Sequence, residues 1–189
     1  MSRYEKEWEK WGGRDPYFAV LTDDRFHVEN LNEKSLEEFF ESGRAYVEFL
    51  LSTVRARFDS SFSPRMILDF GCGVGRLAIP FSETGAEVLG VDVSNAMIGQ
   101  AARHAKQRGV SNARFEHLKR FLDRPLQQFD LVNAYITFQH VPSRDGEGLL
   151  HRMIDSVRED GFAAIHILHA RPGRLWKPVA DWARRSVPG

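Results

Sequence analysis

The chain of 189 residues is poor in several features that would announce a function at once. It has a single cysteine, Cys72, which excludes an internal disulfide framework and any site built on several thiolates. Neither HxxxH nor HExxH occurs among its seven histidines, so the helical zinc patterns are missing and no metal is expected. No apolar run is long enough to span a bilayer, and the opening MSRYEKEWEKWGG lacks the apolar core of a signal peptide. The expectation is a soluble, cytoplasmic protein with no membrane partner. Charge of one sign is not in excess either: Lys plus Arg and Asp plus Glu are both 26. Without a net field, nucleic acid is not expected as a partner. Repeats and low-complexity tracts are also absent.

What is present is enough apolar material, 42% of residues, for one globular domain with a real core. Apolar residues at Leu36, Phe39, Phe40, Tyr46, Val47, Leu50, Leu51, Val54 and Phe58 fall at helical spacing, with Gly43 a possible bend or end of a segment. Turn residues at 60–64 close this part. Short apolar runs then alternate with helical segments: MILDF, a helix over 76–84, EVLGVD, a helix over 96–108, ARFEHL, a weak helix or loop over 120–127, and FDLVNAY. Ser143 is read as the cap of a helix carrying Leu149, Leu150, Met153, Ile154 and Val157, with Gly161 ending it before the strand FAAIHIL. A last helix shows Leu175, Val179 and Trp182 on one face. This order predicts a Rossmann-like α/β fold, a doubly wound and mostly parallel sheet with helices on both faces. Residues 1–62 form an N-terminal helical extension or lid, and 63–189 the ligand-binding domain.

The segment ILDFGCGVGRL runs a buried strand into Gly71, Gly73 and Gly75. Glycines serve where the chain turns sharply and a ligand approaches the backbone closely. Asp92 ends the next strand 19 residues beyond Gly73, where its carboxylate can accept hydrogen bonds from both hydroxyls of a ribose. The dinucleotide fingerprint GxGxxG needs glycine at position 76, where this chain has Arg76, so the GxGxG pattern disfavours a pyrophosphate-bearing cofactor.

DFGCGVGRL followed by VLGVDVSNAMI resembles the first two motifs of class I S-adenosylmethionine-dependent methyltransferases, and FDLVNAYITFQHV and REDGFAAIHI are similar to that family's fourth and fifth strand regions. The resemblance covers residues 66–168 in order. It implies S-adenosylmethionine as cofactor and S-adenosylhomocysteine as product. Asp69 would order the glycine loop near the methionine amino group. The backbone of Phe70, Gly71, Cys72, Gly73 and Gly75 would wrap the methionine and ribose. Asp92 would bind the ribose, Val93 and Met97 would pack near adenine, and Tyr135 would face the methionine end. The family's acid after the third strand has no counterpart in HLKRFLD, where Lys119 or Arg120 stands and Asp123 comes late.

His140, just beyond the fourth strand, is the candidate catalytic base. Trp8, Trp11, Tyr17 and Phe18 are candidates for an aromatic lid, with Arg44 and Tyr46 as further members of a cover. Because no NPPY-like motif stands at YITF, the expected acceptor is the oxygen or nitrogen of a small molecule. The alternatives are a cofactor-binding domain without catalysis and an NAD-dependent oxidoreductase, the latter opposed by Arg76. The family's C-terminal antiparallel hairpin is not visible in the sequence. The expectation is therefore a piece of a longer enzyme, with a homodimer or the last helix as other covers for the fifth-strand edge.

Overall fold

A computed structural model describes residues 3–167 of the chain. Its described elements are α1 (Arg3–Arg14), α2 (Pro16–Val20), α3 (Glu33–Arg57), β1 (Met66–Phe70), α4 (Ala78–Glu83), β2 (Glu87–Asp92), α5 (Asn95–Gln107), β3 (Ala113–His117), α6 (Leu118–Asp123), β4 (Phe129–Ala134), α7 (Ser143–Asp155) and β5 (Val157–Ile165). The five strands are all parallel, in the order β3-β2-β1-β4-β5. Chain order reverses between β1 and β4, and a sheet of this kind binds ligands outside the carboxyl ends of its strands at that point.

Alternate strand residues serve the two faces. Ile67, Val88 and Leu131 join Val47, Leu51 and Val54 of α3 and Phe81 of α4 in one buried cluster. Leu68, Leu89 and Val132 join Phe121 of α6 and Met153 of α7 in another. A third cluster carries Tyr17 of α2, Phe39 and Phe40 of α3, Ile79 of α4 and Met97 and Ala105 of α5. The N-terminal helices therefore share the core of the sheet.

Several boundaries differ from the sequence expectation. Gly43 does not end α3, which is continuous and opens on a reciprocal cap between Asn32 and Ser35. Its role is clearance: a Cβ there would lie 2.0 Å from the Arg76 carbonyl oxygen. Pro142, not Ser143, is the N-cap residue of α7. Gly161 lies inside β5 rather than before it, and Val157 belongs to that strand. The residues just before Gly161 are an irregular part of that strand, with Asp160 at φ 64° and a register shift opposite Phe129–Leu131. The last helix with Leu175, Val179 and Trp182, and the question of a terminal hairpin, lie outside the described residues.

Candidate cofactor site

At the carboxyl ends of β1, β2 and β4 lies a cleft that is partly open to solvent. Phe70, Gly71, Gly73, Asp92, Val93, Met97, Tyr135 and His140 line it, so eight of the eleven residues expected to bind the cofactor or act as base converge there. The other three sit behind the wall. Cys72 is buried with its Sγ close to Gly90, and burial raises its thiol well above the ordinary range. That excludes a ready thiolate. Gly75, at φ 89°, lets the loop pass Ile79 and Ala101. Asp69 lies beneath the loop.

The loop is held by its neighbours. Gly71 and Cys72 N–H both donate to the Val91 carbonyl, at 2.7 and 3.1 Å. Gly73 N–H donates to Asp92 Oδ2 and Ser94 N–H to Asp92 Oδ1, each at 2.9 Å. Asp92 thus fixes the loop and the start of α5 while facing the cavity. A carboxylate has about four acceptor positions, so two backbone donors leave capacity for a ligand's hydroxyls. Burial raises the Asp92 pKa, opposed by these backbone donors. At Gly71, φ is 77° and a Cβ would lie 2.3 Å from Thr137 Oγ1. Thr137 is pinned there, its hydroxyl 3.1 Å from the Phe70 carbonyl and 3.2 Å from that of Tyr135.

Asp69 is the centre of a buried polar group. Its Oδ1 accepts from Asn133 Nδ2 at 2.9 Å, Asn133 Oδ1 accepts from the Tyr46 hydroxyl at 2.9 Å, and Asp69 Oδ2 has no partner. Burial pushes the Asp69 pKa up to about 6, against the Asn133 hydrogen bond and the Arg76 charge. Tyr46 packs against Tyr135 with ring centroids 4.2 Å apart and planes tilted by 36°, and the Arg76 guanidinium lies 5.6 Å from the Tyr135 ring centre. Tyr46 thus approaches the site from behind Tyr135. Arg44 instead pairs with Glu37, Glu41 and Glu83 at the surface.

The aromatic lid divides. Trp8 lines the cavity and meets His140 edge-on at 5.0 Å. Trp11 contacts Phe18, which stacks on His27 at 3.8 Å, and Tyr17 is buried in the core beside His104. The sequence reading missed Tyr4, one helical turn before Trp8 and also a lining residue. A YxxxW spacing within the first turns was the available signal. Burial, and next the Asp92 charge, raise the Tyr4 phenol pKa. Also missed were Leu118, which follows β3, and Ile136, held at φ 60°. A β-branched residue in that region is strained, and such strain gathers at binding sites. Asp123 pairs with Lys119 at 2.5 Å on the surface and neither lines the cavity. His140 has its Nε2 3.0 Å from the Gln139 amide nitrogen, and burial lowers its pKa to about 4.

Among the described residues no group of three or more side chains could hold a metal ion, and no helix is long and apolar enough to cross a membrane. Residues 67–161, just over half of the chain, match the family model described as a methyltransferase domain. The chain is 34% identical over 128 residues to the ubiquinone biosynthesis O-methyltransferase of Acinetobacter baylyi, covering 66% of this chain and 53% of that one. It is 38% identical over 77 residues to an uncharacterized RNA methyltransferase of Thermosynechococcus vestitus, covering 41% and 17%. The chain thus spans about half, or less, of the length of these curated relatives. Its fold matches Haemonchus contortus phosphoethanolamine N-methyltransferase 1, solved with phosphoethanolamine and S-adenosylhomocysteine, at a TM-score of 0.64 and 18% identity, covering 93% of this chain and 34% of that one.

Proposed function

The chain belongs to the methyltransferase-domain family, of the class I S-adenosylmethionine-dependent type, and on that premise we propose that it transfers a methyl group from S-adenosylmethionine to an oxygen or nitrogen of a small-molecule acceptor. The observation that carries this reading is the chemistry of the cavity wall. Among the described residues Asp92 is its one carboxylate, the rest is aromatic, apolar or backbone apart from the Thr137 hydroxyl, and no lysine or arginine lines it. A pyrophosphate would find no cationic side chain there, whereas an adenosyl sulfonium has its ribose served by Asp92 and its positive charge met by ring faces. The partnerless Asp69 Oδ2 beneath the loop suits the ammonium of an amino-acid tail.

When bound, the cofactor supplies an electrophilic methyl group and its own leaving group. The chain's residues then hold and exclude. Asp92 and the backbone at Gly71 and Gly73 fix the ribose, Val93 and Met97 receive the adenine, and Tyr135 closes the methionine end. Trp8, Tyr4 and Leu149 restrict water at the mouth, and alignment of the partners is the main demand of such a displacement. His140 is neutral at physiological pH because burial lowers its pKa to about 4. It can orient an acceptor by accepting a hydrogen bond, and it is a weak sink for the acceptor's proton.

Calorimetric titration with S-adenosylhomocysteine, S-adenosylmethionine and NAD tests the reading. Micromolar binding of the first two and none of NAD is expected, and NAD binding alone would overturn it. A methylation screen of phenols, amines and short RNA then tests the acceptor class. Turnover of RNA alone would overturn the small-molecule assignment, and cofactor binding without turnover of any acceptor would favour a non-catalytic binding domain.

A further inference from the structure

We propose that Glu9 is a positioning residue that fastens α1 over the cofactor cleft and ties that cover to Asp92. The inference rests on the cofactor reading above. Helix α1 has 12 residues, of which Gly12 alone is buried. A helix of that length and polarity is marginal in water, so its order comes from what it docks on. It docks on the start of α5. Glu9 Oε2 accepts from Ser94 Oγ at 2.8 Å and from Ala96 N–H at 3.2 Å. It thereby satisfies donors at the positive end of a 13-residue helix. Ser94 Oγ also accepts from Met97 N–H at 3.1 Å, as the helix's own cap.

Gly12 permits the approach, since a Cβ there would stand 2.6 Å from Ser94 Oγ and 3.0 Å from Ala96 Cβ. With α1 seated, Tyr4 and Trp8, one turn apart on the same side, form part of the cavity wall. The residue that Glu9 grips is also the residue that grips Asp92, through Ser94 N–H to Oδ1 at 2.9 Å, and Asp92 in turn holds Gly73. A continuous line of hydrogen bonds therefore runs from the cover through Ser94 and Asp92 to the glycine loop. Unfastening Glu9 should release Tyr4 and Trp8 from the cleft and loosen the orientation of Asp92 together.

The experiment uses the full chain and has two arms. In the ligand-free protein, hydrogen exchange of residues 3–14 should quicken about five- to tenfold in Glu9→Ala, the size of one lost helix-cap interaction, while the strands keep their protection. Glu9→Gln, which keeps an acceptor oxygen, should stay near wild type. In the second arm, Glu9→Ala should weaken S-adenosylhomocysteine about five- to tenfold, mostly through faster dissociation. Adding Ser94→Ala should cost less than the sum of the two single changes, because both break one line. Unaltered exchange in Glu9→Ala would overturn Glu9 as the fastening. Loosened α1 with wild-type affinity and dissociation would overturn α1 as the cover. Failure of wild-type protein to bind S-adenosylhomocysteine would overturn the cofactor reading and the coupling to it, and is seen separately because the exchange arm needs no ligand.

Discussion

Replacing Asp69 by asparagine removes a charge from inside the protein while keeping its shape, and the consequence should appear in the pH dependence of stability. The carboxyl is buried, Oδ1 accepts from Asn133, and Oδ2 has no partner. Burial therefore raises its pKa from 3.8 to about 6. With the folded value above the unfolded one, the folded protein keeps a proton that the unfolded chain has released. Asp69's contribution is then fully present below about pH 4 and is lost as pH rises through about 6. The interval from 3.8 to about 6, at about 1.36 kcal/mol per unit, is worth about 3 kcal/mol.

His104 and His140, both lowered to about 4 by burial, act in the opposite sense, adding stability as pH rises toward the unfolded value of 6.5. The raw profile is therefore a sum, and subtraction isolates the carboxyl. Denaturant unfolding of ligand-free wild type and Asp69→Asn should be followed from pH 4 to 7.5. The difference, wild type minus variant, should fall by roughly 2–3 kcal/mol across that range. A difference curve that stays flat, or rises, would refute the claim that this buried carboxyl is held protonated by its surroundings.

Asp92→Ala should weaken S-adenosylhomocysteine by more than about thirtyfold, since it removes charge-assisted acceptors and leaves the N–H groups of Gly73 and Ser94 without partners; calorimetry returning wild-type affinity would reject the ribose assignment. Gly71→Ala should cost about 2–4 kcal/mol, because φ is 77° and the added Cβ would lie 2.3 Å from the pinned Thr137 Oγ1. Differential scanning calorimetry should show a large fall in Tm, and an unchanged Tm would contradict the geometry. His140→Ala should slow turnover of a validated acceptor about tenfold while S-adenosylhomocysteine affinity stays within about twofold; an unaffected kcat would remove His140 from the reaction.

The strands and the loop were legible because their causes are local. Continuous apolar runs mark strands buried on both faces, and glycines at 71, 73 and 75 all take positive φ. The acid at 92 stands where a strand of ordinary length must end. The misread places are those where a residue answers to something distant in sequence. Gly43 looks like a helix break, but it exists to let α3 cross the Arg76 carbonyl. Gly161 looks like a helix stop, yet β5 begins before it and Arg158 and Asp130 pair across neighbouring strands. Glu9 reads as one of many solvated charges, and only the folded chain brings it to α5. Asp123, which comes late for the adenine contact, pairs with Lys119 at the surface.

The two ends of the sheet treat buried aspartates in opposite ways. At the amino end, burial would raise the Asp130 pKa, but N–H donors from Met66 and Arg65, each at 2.8 Å, and the Arg158 guanidinium carry it below its ordinary value. Every demand of that charge is met by the protein itself. At the carboxyl end, burial wins over the local donors at both Asp69 and Asp92, and both are raised. Arg76 is close enough to affect Asp69, yet its Nε is buried without a partner. Groups that a fold leaves short of partners at one edge, beside a strained Ile136, cost stability that packing elsewhere must offset. A cationic, hydroxyl-bearing ligand would return that stability on binding. Thermal stabilisation by S-adenosylhomocysteine should therefore be larger at pH 7.5, where Asp69 is ionised, than at pH 5, where it is held neutral; equal stabilisation at both values would separate the raised carboxyls from ligand recognition.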